Sequence, residues 1–495
     1  MKYLKLSIIV ATLFILASCG DDYLDTTPTD LVSSSAAFQN ITNAWAALNG
    51  IHRALYVQYA NQGEGGEGNL NLNRDVLGED YVMTAVGNGW FNNAYKWLDH
   101  RSETSALSKY PYAVYYRLIG NANLIIANID GIAADPAEIN AIKGQALVYR
   151  AWSHFQLVQL YGQRYDKSKA PNTQLGVPLM LTPTSEGQTR AAVEEVYTQV
   201  HKDLDDAISF LPATSRKNKS HFNGQVAKGI KARVYLAQQD YPNAAKFAAE
   251  ARAGFNLMTN ADYLSGFNNV SNQEWMWGSD QIDEQTTFFY SYFAYVSCNF
   301  NSTNIRTNPK AINSTLYKMI SDTDVRKKCW DPTGSASAIT PPGGLKKPYM
   351  TQKFLASSSS NSVGDVPYMR AGEMYLIEAE AKARSNDNSG AQDVLFILAK
   401  NRDPNYVKST KTGTELIEEI MIQRRVELWG EGFRFTDLKR LNLPLNRNGA
   451  NHQSALCLIF DVPAGDKQWE FLFPRDESMP THRSFKTHSR RMVMI

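Results

Sequence analysis

Apolar side chains return every three or four residues in several stretches of this chain, and between those stretches the pattern stops. Ala44, Leu48, Ile51, Leu55 and Tyr59 form one such stripe. That spacing gathers side chains on one face of a helix, so it predicts a first helix over residues 41–60. The period resumes over 112–129 and 138–161. Further on, Ala232 and Tyr235 are followed by Ala244, Ala248 and Ala251, and Ala379 by Ala391, Leu395 and Leu398. Between the halves stand the breakers Asp240-Tyr241-Pro242-Asn243 and Ser385-Asn386-Asp387-Asn388, so each stretch reads as a helical hairpin whose small residues allow close approach.

Two long segments carry no such period. Residues 61–110 are rich in glycine and asparagine, and loops beyond ~15 residues are uncommon in compact domains unless they bind something or are disordered. Leu70, Tyr81, Trp90, Phe91, Tyr95 and Trp97 argue against disorder. Residues 259–366 crowd Trp275, Trp277, Phe288, Phe289, Tyr290, Tyr292, Phe293, Tyr295 and Phe300 together, with partial alternation over Ser291–Ser297 that suggests a short strand. Asp331–Lys347 and Ser357–Gly364 read as surface loops. The spacing of the hairpins resembles the tetratricopeptide repeat, whose period is ~34 residues. The expected fold is mainly α, a tetratricopeptide-like helical-hairpin scaffold with long loop-rich insertions and little β structure. One domain is expected over 41–495, with scaffold at 41–60, 112–258 and 367–445 and insertions at 61–110 and 259–366.

The N-terminus is different again. Lys2 and Lys5 precede an apolar run from Leu6 to Ala17, shorter than the ~20 residues a bilayer-spanning helix needs and suited to a signal-peptide core. Leu16-Ala17-Ser18-Cys19 resembles a bacterial lipoprotein box, so residues 1–18 are expected to be removed and Cys19 to be lipidated. Residues 19–40, with Asp21, Asp22, Asp25, Asp30 and three serines, read as a flexible tether to a membrane surface. The whole chain has 51 basic and 49 acidic residues, and losing Lys2 and Lys5 brings the formal charge from +2 to 0. With the two signs interspersed, no phosphate-binding patch is seen and nucleic acid is not expected as a partner. Cys298, Cys329 and Cys457 permit one disulfide at most.

Motifs for chemistry are sparse. Gly63–Gly68 satisfies GxGxxG, but it follows a helix, no helix is expected to open from it, and its two glutamates would repel a pyrophosphate. A flexible surface loop is the expected form. No HExxH, CxxC pair or GxSxG occurs, so neither metal nor cofactor is expected. Asp75, Glu79 and Asp80 have the oxygen atoms calcium takes but lack EF-hand spacing. A glycosidase would need two carboxylates roughly 5–10 Å apart, which Asp75, Glu79 or Asp80 facing Asp280, Asp283 or Glu284 would supply. His154, Trp97 and Trp152 read as core, Glu373, Glu378 and Glu380 as solvated charges paired with Arg370 or Lys382, and Arg434, Asp437 and Arg440 as a local ion-pair ladder.

Four ordered motifs carry a family likeness. Gln145–Phe155, with Leu160-Tyr161-Gly162 and Gly176-Val177-Pro178-Leu179, is the first; Met369–Ala381 follows; then Gln423–Arg440; then Phe471-Leu472-Phe473-Pro474. Together with the lipoprotein box they resemble the RagB/SusD family of surface nutrient-binding lipoproteins over nearly the whole chain. The ending differs, with Arg475-Asp476-Glu477-Ser478 and a basic tail at Arg490-Arg491. The resemblance implies an outer-membrane lipoprotein, facing the cell exterior, that captures an oligosaccharide or similar nutrient for a TonB-dependent, SusC-like transporter without catalysis. Sugar rings pack a C–H face on aromatic rings while amides and carboxylates bond their hydroxyls. Trp90 with Asn88, Asn92, Asn93 and Asp80 offers that combination. The family's use of the central insertion adds Trp275, Trp277, Tyr290, Tyr292 and Tyr295. The alternatives are a tetratricopeptide-like structural or assembly lipoprotein and, less favoured, a glycoside hydrolase.

Overall fold

The computed structural model describes residues 38–184, 186–282, 289–335 and 340–478. The leader, Cys19 and most of the tether fall outside the described residues, as do Asp283, Glu284 and the basic tail. The longer helices are α1 (Ile41–Ala54), α2 (Gly66–Val76), α3 (Ala106–Asn128), α4 (Pro136–Tyr161), α5 (Val193–Phe210) and α6 (Gly224–Ala237). They continue with α7 (Tyr241–Arg252), α8 (Ala371–Arg384), α9 (Asn388–Arg402), α10 (Gly413–Glu427) and α11 (Arg434–Arg440). Successive helices pack on one another: α3 on α4, α4 on α5, α6 on α7, α7 on α8, and α8 on both α9 and α10. This is the mainly helical scaffold that the periodicity predicts.

Local chemistry sets the helix ends. Asp135 caps α4 through the amide of Ala137, with Pro136 at the first position where its missing N–H costs nothing. Asp240 and Asp387 do the same at the hairpin turns, accepting from Asn243 and Gly390. Ser105 caps α3, which therefore opens six residues before 112 and takes Pro111 inside. Conversely α1 stops at Ala54, short of 60, because the carbonyl of Leu55 goes to the amide of Glu67 at 2.7 Å instead of continuing the helix. Ala244, Ala248 and Ala251 are fully buried, so α7 lies close on its neighbours, as do Ala379 and Ala391 for α8 and α9. α4 is buried nearly all round from Ile142 to Tyr161, which makes it the central helix. Within it His154 donates from Nδ1 to the carbonyl of Arg150 and accepts at Nε2 from the amide of Met180.

Strand is scarce. The antiparallel sheet runs β1 (Tyr81–Met83), β5 (Lys310–Ile312), β7 (Met350–Thr351), β6 (Trp330–Asp331), with Val82 opposite Ala311 and Met83 opposite Lys310. A separate ribbon pairs β4 (Trp275–Gly278) with β8 (Pro367–Arg370), and β2 (Leu175–Pro178) pairs with β3 (Arg190–Ala192). The alternation at Ser291–Ser297 does not give a strand: Phe293–Val296 is a short helix, all of it buried, so both faces are apolar for a reason other than a pleat.

Two charge readings are corrected. Glu373, Glu378 and Glu380 are buried, paired not with Arg370 but with Arg233 at 2.6 Å, Arg252 at 2.7 Å and Arg440 at 2.7 Å, while the expected Lys382 reaches Glu378 at 3.9 Å. Each therefore joins α8 to another helix. Arg440 does pair with Asp437, but Arg434 reaches across to Glu79 and so leaves the expected ladder. The largest cluster sits where β4 and β8 meet α9 and α10. Arg370 bonds Glu274 at 2.5 Å, Glu427 at 3.0 Å and Glu431 at 2.7 Å; Arg402 bonds Glu274 at 2.6 Å and Glu427 at 3.0 Å. Arg326 joins Asp324 to Glu427, and Lys353 holds Glu431. Burial alone would raise the Glu427 pKa, but Arg402, Arg370 and Arg326 hold it far below the carboxylate range.

Candidate functional site

The loop that follows β1 is where irregular backbone and exposed aromatic surface coincide. Because Met83 pairs with Lys310, residues 84–92 leave the sheet beside 303–309, and the Thr84 hydroxyl donates to the carbonyl of Pro309 at 2.5 Å. Gly87 and Gly89 take positive φ, and so does Phe91 at 62°. The Asn92 amide donates back to the carbonyl of Val86 at 3.0 Å, closing the turn. Trp90 and Phe91 are half-buried, Asn88 and Asn93 exposed, and Val86 is 54% exposed.

Behind this loop stands Tyr295. Its ring meets Trp90 edge-on at 6.0 Å and Phe91 at 5.1 Å, and its hydroxyl donates to the carbonyl of Gln62 at 2.8 Å. Gln62 in turn donates from its amide to the carbonyl of Phe289 at 3.3 Å, and Asn69 bonds the carbonyl of Tyr290. A ring carbon of Trp90 lies 3.6 Å from where Gly63 would carry a Cβ. Three segments thus converge, 60–63, 86–92 and 289–295. They present Trp90, Phe91, half-buried Tyr290 and Phe289, 47% exposed, beside the amides of Gln62 and Asn88. The result is a shallow apolar surface with polar edges, of the kind a sugar face fits.

The GxGxxG run takes part as structure. α2 opens from it at Gly66, against the expectation of a loop with no helix. Glu64 is buried and accepts from the amides of Ala60 and Asn61, while Glu67 pairs with Arg74 and accepts from the Tyr115 hydroxyl. A Cβ at Gly65 would fall 1.8 Å from the carbonyl oxygen of Tyr290, which is why glycine stands there.

Half of the expected site residues are sealed from solvent, Tyr295 beneath the Trp90 loop and the other four away from it. Trp275, Trp277, Tyr292, Tyr295 and Asp80 are at most 4% exposed. Trp275 and Trp277 lie in the central ribbon, where Trp277 meets Trp152 edge-on at 5.3 Å, and Tyr292 donates to the carbonyl of Gly430. None of these rings has a face to offer a ligand. Asp80 is held by Arg425 through Nη2 at 2.5 Å, and its carbonyl takes the Trp429 indole N–H. Glu79 is held by Arg434, and Asp75 accepts from the Gly432 amide, so this trio fastens β1 and α2 to the C-terminal motif. Among the described residues no group of three or more His, Cys, Asp or Glu is placed to hold a metal ion. Tyr290 and Trp90 come together; Asn92 closes the turn and Asn93 stands exposed at its edge. Phe289, Gln62 and Phe91 were not among the expected site residues. Gln62 stands beside Gly63 and Phe91 two residues after Gly89, and no spacing rule singles out either of them or Phe289. A separate hollow of about 60 Å³, lined by Glu67, Arg74, Trp152, Arg424 and Phe433, lies inside the scaffold.

Residues 22–236 match a family model described as starch-binding associating with outer membrane, and residues 257–469 match that of the SusD family. SusD-like protein P2 of Formosa agariphila is 27% identical over 271 residues, 53% of this chain and 49% of that one. The chain thus spans about half the length of that curated relative. The crystal structure of a SusD-like carbohydrate binding protein from Bacteroides vulgatus has a TM-score of 0.78 and 26% identity, covering 89% of this chain and 96% of its own. A laminarin binding SusD-like protein shares the fold with a TM-score of 0.69 and 20% identity, over 89% and 97%. Among the described residues no helix is long and apolar enough to cross a membrane. With family models covering both halves of the helical scaffold and the loops between them, the chain belongs to the SusD family, whose members associate with the outer membrane and bind carbohydrate.

Proposed function

We propose that the protein captures an oligosaccharide at the outer surface of the outer membrane and passes it, unchanged, to a TonB-dependent transporter. The observation that carries this reading is the convergence of Trp90, Phe91, Phe289 and Tyr290 on one exposed surface edged by Gln62 and Asn88. A ring face packs on Trp90 and Phe289, and the amides exchange hydrogen bonds with hydroxyls. The carboxylates just before β1, Glu79 and Asp80, are engaged by arginines, which leaves them unsuited to acid–base work. The SusD-like carbohydrate binding protein and the laminarin binding protein named above support a saccharide as ligand. Anchoring by a lipid on Cys19 would hold the site beside its transporter.

Affinity electrophoresis of the full chain through gels containing polysaccharides tests the capture. Retardation by at least one glycan, abolished by Trp90→Ala and retained by Trp275→Phe, is expected, with no release of reducing ends. Retardation that persists in Trp90→Ala would place the ligand elsewhere. Labelling with palmitate is expected to be lost in Cys19→Ala, and the transporter to co-purify with the lipidated chain from outer membranes.

A further inference from the structure

The loops around Trp90 are unusual in their charge. Residues 84–98, 289–321 and 340–364 contain no aspartate or glutamate, yet they carry Lys96, Arg306, Lys310, Lys318, Lys346, Lys347 and Lys353. In a chain with 51 basic and 49 acidic residues, acid-free stretches of this length are a local departure from balance. Lys353 is committed to Glu431. Arg306 is half-exposed, and among the described residues its guanidinium bonds neutral groups, Asn301 Oδ1 at 3.3 Å and Thr303 Oγ1 at 3.5 Å. The next residue, Thr307, bonds Asn88 at 3.4 Å, so Arg306 flanks the Trp90 loop directly. The amide of Leu345 donates to the carbonyl of Arg306, which brings Lys346 and Lys347 to the same flank.

Behind Arg306 the imbalance deepens. Lys310 is 4% exposed and its ammonium has one neutral partner, the carbonyl of Asn308 at 2.8 Å. No carboxylate of the described residues pairs with it, and burial draws its pKa down to about 7. An ammonium kept out of water without a counter-ion is costly, and most buried charges have a partner. Beside it the Asn308 side-chain N–H₂ is buried with no hydrogen-bond partner among the described residues, under Gly87 of the Trp90 loop. A guanidinium, an ammonium and an amide donor, none paired with a carboxylate among the described residues, thus follow one another along the segment that borders the Trp90 loop.

We propose that the saccharide held on Trp90 is anionic, with a carboxylate or sulfate ester seated at Arg306, Asn308 and Lys310. This rests on the capture reading and narrows it to a substrate class. A negative group there would gain charge-assisted bonds and supply the counter-ion Lys310 lacks. A Cβ at Gly87 would fall 2.8 Å from the Cβ of Asn308, while one at Gly89 would meet nothing within 4 Å.

The test is calorimetry on the full secreted chain with three probes of equal length: an oligogalacturonide, a sulfated galactan oligosaccharide and a neutral laminari-oligosaccharide. At least one anionic probe is expected to bind at least tenfold more tightly than the neutral one, with affinity falling severalfold as salt rises. Arg306→Gln, an exposed change that spares the fold, is expected to cut that preference severalfold, and Lys310→Met to do the same. The two anionic arms separate carboxylate from sulfate. Equal or tighter binding of the neutral probe, or an anionic preference untouched by Arg306→Gln, overturns the inference while leaving capture intact. No binding of any probe, with Trp90→Ala without effect on glycan gels, overturns both.

Discussion

Arg370 and Trp90 mark two regions of this protein built on opposite terms. Around Arg370, four cations and four anions neutralise one another out of water: Arg326, Lys353, Arg370 and Arg402 against Glu274, Asp324, Glu427 and Glu431. Around Trp90, single hydrogen bonds to backbone carbonyls tie Tyr295 to Gln62 and Gln62 to Phe289, and the nearby cations Arg306 and Lys310 have no carboxylate partner among the described residues. The first arrangement satisfies every partner internally and fixes how strands and helices meet. The second leaves faces and donors unspent, the condition for recognising something outside the chain. In this fold, charge density marks the frame and charge deficiency marks the site.

Breaking the frame should cost most. Glu427→Gln leaves Arg370, Arg402 and Arg326 short of a counter-charge, and removing one member of a buried network costs about 3–5 kcal/mol. A urea midpoint within error of the parent would mean that water or rearrangement satisfies the arginines. Trp277→Ala removes a fully buried ring packed on Trp152 and Tyr368, with an expected loss of about 3–5 kcal/mol. Trp90→Ala, by contrast, should shift the unfolding midpoint by less than about 1 kcal/mol while removing binding. Equal destabilisation by the two tryptophan changes would erase the distinction between core ring and platform ring.

Acid should weaken the frame selectively. His52 and His221 bond one another at 3.0 Å in the interior; burial, then the neighbouring His221, lowers the first, and burial, then Lys217, brings the second to about 4. His452 is likewise drawn to about 4 by burial. Such groups stay neutral when folded but take a proton when unfolded, so stability is lost as pH falls from ~6.5 towards 4. Each contributes up to about 1.4 kcal/mol per pH unit in that window. Asp365, raised to about 6 by burial, opposes the trend from about pH 6 down through the rest of that window. Urea midpoints at pH 7, 5.5 and 4.5 should fall in that order, and replacing His221 by Gln should flatten the slope.

The smallest expected effect sharpens the comparison at its boundary. Tyr295 belongs to the core by burial and to the site by contact. Tyr295→Phe keeps the ring but frees the Gln62 carbonyl, a loss of about 1 kcal/mol. Glycan affinity should fall a few-fold as the 60–63 and 86–92 segments lose register, with the melting temperature nearly unchanged. A melting shift without any affinity change would assign Tyr295 to the frame alone.

Helices and their turns were readable because their causes are local. Apolar spacing near 3.6 residues, Asp caps and Pro at first positions act within a few residues, so the hairpins at 232–251 and 379–398 stand where the pattern put them. The ends that moved, at Ala54 and Ala106, did so for a carbonyl claimed by Glu67 and a serine cap. Which aromatic faces solvent was not readable. Trp90 and Trp277 are the same residue type in equally irregular stretches, and one is half-exposed while the other is sealed beneath Trp152. Likewise Glu380 and Asp80 look like free carboxylates until Arg440 and Arg425, 60 and 345 residues away in sequence, arrive beside them. The sequence by itself determined where the hairpin helices at 232–251 and 379–398 stand, because hydrogen bonds and side-chain spacing along one segment decide that. Only the tertiary structure decided which rings and charges remain for a ligand, because burial and pairing depend on segments far apart in the chain.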